Sequence, residues 1–170
     1  MTKNTKYNVL VLCTGNSARS IIVEGLFNSI ANKYFQAYSA GSYPTGKVNP
    51  FALEQLKKLS LPNDFVPRSK SWDEFGIDDA PHFNFVITVC GNAAQEICPC
   101  FKGEPNHIHW GQPDPAAAEG NDENKRTAFL NCFETFKKQI NLLVLNLDKL
   151  EPKKKSEITQ ILIELAPQIS

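Results

Sequence analysis

Two short runs constrain this chain more than any other feature. Asn8–Leu12 (NVLVL) and Phe83–Val89 (FNFVITV) are apolar almost throughout, with no inside/outside alternation. Such runs suit strands covered on both faces, as in the middle of a parallel sheet. After the first run, Ile22, Leu26 and Ile30 recur at helical spacing from Ser17 to about Tyr34. Ala37–Ala40 is a short second strand stopped by Gly41, and Asn49-Pro50 reads as an N-cap and first helical residue before Leu53, Leu56 and Leu59. Lys70–Gly76 predicts a short helix or turn, and His107–Trp110 a weaker strand. Between Asp122 and Leu147, Phe129, Phe133, Phe136, Ile140, Leu143 and Leu147 form one apolar stripe that must face a core. Alternating strands and helices predict an α/β fold, with a parallel sheet, helices on both faces, and ligands bound beyond the carboxyl ends of the strands.

A chain of 170 residues suits one domain. Lys plus Arg equals Asp plus Glu at 18 each, so nothing in bulk calls for nucleic acid or a membrane surface. No apolar run approaches the ~20 residues that span a bilayer. The start MTKNTKY is polar, and VLVLC is too short for a signal-peptide core, so a cytoplasmic location is expected. Glu151-Pro152 ends the long helix. The domain is therefore expected over residues 1–150, with 151–170 a helical extension in which Ser156 caps a last helix carrying Ile158, Ile161, Leu162 and Leu165. That helix packs either on its own domain or on a partner.

Five cysteines, Cys13, Cys90, Cys98, Cys100 and Cys132, are too few and too scattered for a disulfide scaffold. Cys13 closes the first strand, and five residues separate it from Arg19. Amide groups of Thr14, Gly15, Asn16, Ser17, Ala18, Arg19 and Ser20 can turn inward as an anion nest, and the helix N-terminus adds positive potential. Arg19 offers a fork to two oxygens of a tetrahedral oxyanion, and Ser20 can donate to a thiolate. Surroundings of this kind favour a reactive thiolate. Gly15 and Asn16 tolerate the positive φ of a strained loop. Asp114, between two prolines in GQPDPA, can serve as a general acid toward a leaving oxygen, although Asp-Pro is also a common turn. Cys90, Cys98 and Cys100 follow the second apolar run in a polar segment with glycine, where they look exposed and mobile. Cys132 flanks the long helix's stripe and reads as buried and inert, His82 as surface, and His109 and Trp110 as a strand end beneath the Asp114 loop. Zinc held by Cys90, Cys98, Cys100, His107 and His109 is an alternative, but their spacing lacks the tight knuckles of structural zinc sites.

Together LCTGNSARS (12–20), VEG (23–25), YSAGS (38–42), VNP (48–50), FVITVCGNAA (85–94) and HWGQPDPA (109–116) resemble the arsenate reductases built on the low-molecular-weight protein tyrosine phosphatase fold. The resemblance runs from about residue 7 to 147. It implies a three-layer sandwich around a four-stranded parallel sheet; no bound cofactor and no metal are expected for this chain. Cys13 would attack arsenate (phosphate or sulfate being mimics), held by the loop amides and Arg19, and Asp114 would protonate the departing oxygen. Cys90 would then form a disulfide with Cys13, releasing arsenite. Cys98 or Cys100 would carry the disulfide to thioredoxin, or to glutathione with glutaredoxin. Seven residues lie between Cys90 and Cys98, one more than thioredoxin-coupled members usually leave, and Cys100 competes for the same role. Some members bind potassium beside the loop. Asn16, Glu24 and Ser39 match three of its ligands, but Ser71 stands in the place of the fourth, an Asp, so no potassium site is expected. The competing activity is a tyrosine or small-molecule phosphatase, which needs Cys13, Arg19 and Asp114 but none of the later thiols. Ala116 and Ala117, where phosphatases carry aromatic residues, weigh against it, and Tyr43 could supply one aromatic wall.

Overall fold

Val9, Leu10, Val11 and Leu12 are no more than 1% exposed, and they alternate between two cores. Val9 and Val11 point into a cluster with helical side chains, while Leu10 and Leu12 point to the opposite face. The computed structural model describes residues 5–166. Its strands are β1 (Tyr7–Cys13), β2 (Phe35–Gly41), β3 (Phe85–Thr88) and β4 (Asn106–His109). All pair in parallel in the order β2-β1-β3-β4. The chain leaves β1 toward one edge for β2, then crosses to the other side for β3. The topological switch therefore falls between β1 and β3, where ligands bind in such sheets.

The helices are α1 (Arg19–Ile30), α2 (Pro50–Leu56), α3 (Gly91–Gln95), α4 (Asp122–Lys149) and α5 (Lys155–Glu164). Helices α1, α2, α4 and α5 bury their apolar residues in the Val9/Val11 cluster. The other face is covered by a thin layer, the 3-10 turn Trp72–Phe75 and Phe101, in which the Tyr38, Phe75, Phe83 and Phe101 rings meet edge to face. The sandwich is thus three-layered but unequal in thickness.

Periodicity predicts a helix from Ser17 to Tyr34, but α1 starts at Arg19 and stops at Ile30. Its start is delayed because Asn16 takes a left-handed φ of 46°, which no helix continues. Residues Ser20 to Asn28 of α1 are all buried, so it is a central helix rather than a striped one. Helix α4 follows its pattern. Asn121 caps it by accepting from Asn124 N, and the six stripe residues are no more than 1% exposed. Each such burial is worth about 1.5–3 kcal/mol against the exposed state.

In α5, Lys154 and not Ser156 holds the N-cap position, without a side-chain cap. Tyr7 OH donates to Lys153 O (2.6 Å) and Lys155 Nζ to Glu104 O (2.9 Å), which fixes the chain just ahead of Ser156. Ile158 and Leu162 are buried in the main core. Trp110 Nε1 donates to Leu162 O at 2.8 Å, Asn106 Nδ2 to Thr159 Oγ1 at 2.8 Å, and Gln139 Nε2 to Leu165 O at 3.0 Å. Helix α5 therefore packs on its own domain. Trp110 stacks on Phe27 (centroids 6.1 Å apart) and serves this junction. Among the described residues no helix is long and apolar enough to cross a membrane.

Candidate active site

Residues Thr14 to Ala18 leave the end of β1 as a loop whose carbonyls are tied outward. Tyr43 N donates to Thr14 O (2.9 Å), Thr45 N and Ser69 Oγ to Gly15 O (3.0 and 3.1 Å), and Asn49 N to Ser17 O (2.9 Å). A trans peptide points its N–H opposite to its C=O, so the amides of Gly15, Asn16 and Ala18 turn the other way, inward. Asn16 N–H indeed reaches Cys13 Sγ at 3.2 Å. This is an anion nest with a thiol at its floor. The loop lies flat only because β2 ends in Gly41: a Cβ there would sit 2.4 Å from Thr14 O.

The side chains beneath the loop have a fixed polarity. Asn16 Oδ1 accepts from Lys70 N (2.9 Å), so its Nδ2 faces Ser20 Oγ (2.8 Å) and Ser39 Oγ (3.0 Å). Ser20 Oγ lies 3.1 Å from Cys13 Sγ. With a lone pair taken by Asn16, the Ser20 hydroxyl is free to donate to the sulfur. Asn16, Ser20 and Ser39 are fully buried, which makes each of these bonds costly to break.

Arg19 reaches into the cleft from the first turn of α1. Its Nη1 donates to Gln112 O at 2.9 Å, and Nη2 stands 3.7 Å from Asp114 Oδ2. Asp114 is held by Ala116 N, which donates to its Oδ1 at 3.0 Å and opens the 3-10 turn Pro115–Ala117. A cleft of about 540 Å³ is lined by Cys13, Thr14, Arg19, Cys90, Asp114 and Ala116, among others. Tyr43 is 78% exposed and is not among its lining residues.

Contrary to the expectation of an exposed loop, Cys90 is buried, only 4% exposed. The reason is local: Cys90 is the N-cap of α3, its sulfur accepting from Ala93 N at 3.4 Å, and it tucks beneath Thr14, whose Oγ1 is 3.5 Å from Cys90 Sγ. Thr14 Oγ1 also donates to Glu96 Oε1 at 3.3 Å. Cys98 is half-buried against the Leu10/Leu12 cluster, where burial pushes its thiol up, and Cys100 is exposed. Neither lines the cleft. Among the described residues all five cysteines are free, and no three His, Cys, Asp or Glu side chains are grouped to hold a metal. His109 Nδ1 is instead engaged with Thr88 Oγ1 (2.8 Å). His82 is exposed and Cys132 buried, as their sequence contexts predict.

Several participants carry no signal in the sequence. Lys70 opens the stretch read as a short helix or turn, and Ser69 and Gln112 are polar residues to which the sequence assigns no role of their own. Thr45 and Glu96 are single polar residues brought to the loop only by folding.

The parallel sheet thus carries, at its switch point, a thiol beneath the inward-turned amides of one loop. The chain belongs to the low molecular weight phosphotyrosine protein phosphatase family, whose model matches residues 8–155. It is 35% identical over 132 residues to an arsenate reductase of Halalkalibacterium halodurans, covering 78% of this chain and 91% of that protein. Among solved structures, the arsenate reductase of Archaeoglobus fulgidus aligns with a TM-score of 0.53 at 26% identity, over 78% of this chain and 98% of its own. A low molecular weight phosphotyrosine phosphatase of Vibrio cholerae aligns with a TM-score of 0.58 at 21% identity, over 85% and 99%, and speaks for the fold alone.

Proposed function

We propose that this protein is an arsenate reductase of the cytoplasm that uses an internal thiol relay. The observation that carries the reading is that Cys13 and Cys90 line one cleft, with Thr14 bridging the loop to Cys90. The curated relatives matched at about a third identity carry that activity in their names. Arsenate is held by the inward amides and Arg19. The Cys13 thiolate attacks arsenic, and Asp114 gives a proton to the departing oxygen, which leaves as water. The Cys90 thiolate then attacks the Cys13 sulfur. The sulfur–arsenic bond breaks with its electron pair staying on arsenic, so arsenic(V) becomes arsenite and a Cys13–Cys90 disulfide forms. Cys98 or Cys100 attacks Cys90, which frees Cys13. Thioredoxin, or glutathione with glutaredoxin, reduces the final disulfide.

The cap on α3 gives this relay a release. Once its sulfur joins Cys13, Cys90 no longer accepts from Ala93 N. A helix of five residues is marginal even when capped. Loss of the cap favours unwinding of 91–97, which brings Cys98 from the opposite face toward Cys90.

The phosphatase alternative has less support, because the cleft wall after Asp114 is Ala116 and Tyr43 stands outside. The deciding assay follows arsenite release with each reductant system, alongside p-nitrophenyl phosphate hydrolysis. Cys13→Ser is expected to lose all turnover, and Cys90→Ser to stop before arsenite leaves. Mass mapping of the oxidised protein identifies Cys98 or Cys100 as the partner of Cys90. Full multiple turnover by Cys90→Ser would refute the relay, and strong phosphatase activity without arsenite release would establish the alternative.

A further inference from the structure

Lys70 and Glu24 are both buried beneath the loop, 8% and 7% exposed, and meet at the Ser39 hydroxyl; no step above uses either. An ammonium is strongly hydrated and costly to bury without partners. Here Lys70 Nζ donates to Arg68 O at 3.0 Å and to Ser39 Oγ at 3.4 Å. Ser39 Oγ accepts from Asn16 Nδ2 and donates to Glu24 Oε1 at 2.7 Å. Asn16 in turn holds Ser20, which faces Cys13 Sγ. The cation and the thiol are therefore the two ends of one buried chain of polar atoms. Burial pushes the Glu24 carboxyl up and the Lys70 ammonium down, and each charge draws the other back. Arg68 acts on both, and Glu74 on Lys70.

These residues do not fit a potassium ion, although Asn16, Glu24 and Ser39 match three ligands of such a site. Asn16 Oδ1 already accepts from the main-chain N–H of Lys70, and both acceptor positions of the Ser39 oxygen are filled, by Asn16 Nδ2 and Lys70 Nζ. Ser71 Oγ accepts from Asp73 N at 3.1 Å to open the next turn.

We propose that Lys70 is a tethered cation: its ammonium occupies the ion position, balances Glu24, and through Ser39, Asn16 and Ser20 holds the Cys13 loop in its oxyanion-binding shape. It is a positioning residue and touches no reacting atom. The inference rests on the reading of this loop as the oxyanion site. It follows that oxyanion binding here is indifferent to the monovalent cation in solution. It also follows that deleting the lysine stem leaves a space lined by the Glu24 carboxylate, the Ser39 hydroxyl and the Arg68 carbonyl. Hard oxygen donors of that kind receive a small hard cation.

The test is calorimetric titration with inorganic phosphate at constant ionic strength, in potassium, ammonium, sodium and tetramethylammonium chlorides. The wild type is expected to show one affinity in all of them. Lys70→Ala is expected to bind phosphate about ten- to a hundredfold more weakly in tetramethylammonium chloride, the loss of a charge-assisted contact. Potassium or ammonium should recover most of that loss, and the same salts should raise the variant's melting temperature. Lys70→Ser, which also deletes the stem, serves in the same series if the alanine variant does not fold. Unchanged phosphate binding in the variant, a loss that no small cation restores, or a saturable potassium dependence in the wild type would each overturn the proposal. Arsenate turnover is followed in parallel. A wild type that binds phosphate but releases no arsenite refutes the reductase reading alone, and failure of the cation series with turnover intact refutes this inference alone.

Discussion

Asn16 carries the heaviest polar load in the site, and replacing it measures how much of the loop's shape depends on one buried amide. The Asn16→Ala variant removes three hydrogen bonds of 2.8, 3.0 and 2.9 Å from a side chain with no solvent exposure. The Lys70 main-chain N–H would be left buried and unpaired, at about 1–3 kcal/mol, and the Ser20 and Ser39 contacts add about 0.5–1.5 kcal/mol each. Alanine at a φ of 46° also pays a left-handed penalty of about 1–2 kcal/mol, which asparagine avoids better than most residues. The combined cost is about 3–8 kcal/mol. In a chain of this length that lowers the melting temperature by at least about 6 °C. Scanning calorimetry reads the effect, and Asn16→Gly separates its parts. Glycine loses the same three bonds but adopts positive φ freely, so it should melt above the alanine variant by about 2–4 °C. An alanine variant that melts with the wild type would refute the polar chain as the support of the loop, and a glycine variant that melts below the alanine variant would refute the backbone penalty at φ 46°.

Two further outcomes follow from burial. Leu162→Ala removes a side chain with no exposure from the α5 junction, and should cost about 2–5 kcal/mol in a denaturant titration, whereas an α5 that merely rests on the surface would tolerate it. Alkylation followed by mass mapping at mildly alkaline pH should modify exposed Cys100 early and spare Cys132 until unfolding, because burial pushes the Cys132 thiol up to about 12. Early modification of Cys132 in the folded protein would contradict its placement in the core.

The expectations that held are those with a local cause. The Asn8–Leu12 run becomes a strand buried on both faces because nothing in it can face water. The α4 stripe is buried because its spacing puts six apolar residues on one side. Those that failed depend on neighbours that are distant in sequence. Cys90 looked exposed because polar residues follow it, yet the roof over it is Thr14, seventy-six residues away. Ser156 had the chemistry of a cap, but Tyr7 and Glu104 fix where the chain enters α5.

By itself the sequence determined the elements of the cradle: a cysteine at a strand end, a loop with Gly15 and Asn16, and Arg19 close to the start of a helix. All of these are contiguous, and short-range sterics and the helix dipole act within a few residues. Only the tertiary structure decided what supports the cradle and what stands across from it. Lys70 is fifty-four residues from Asn16, and nothing in a polar stretch announces which polar residue will be buried. Likewise Cys98 and Cys100 share a segment, yet one packs on the thin side of the sheet and the other faces solvent. Their difference, like the partnership of Lys70 with Glu24, comes from which distant surfaces fold against each other, and a linear pattern does not carry that information.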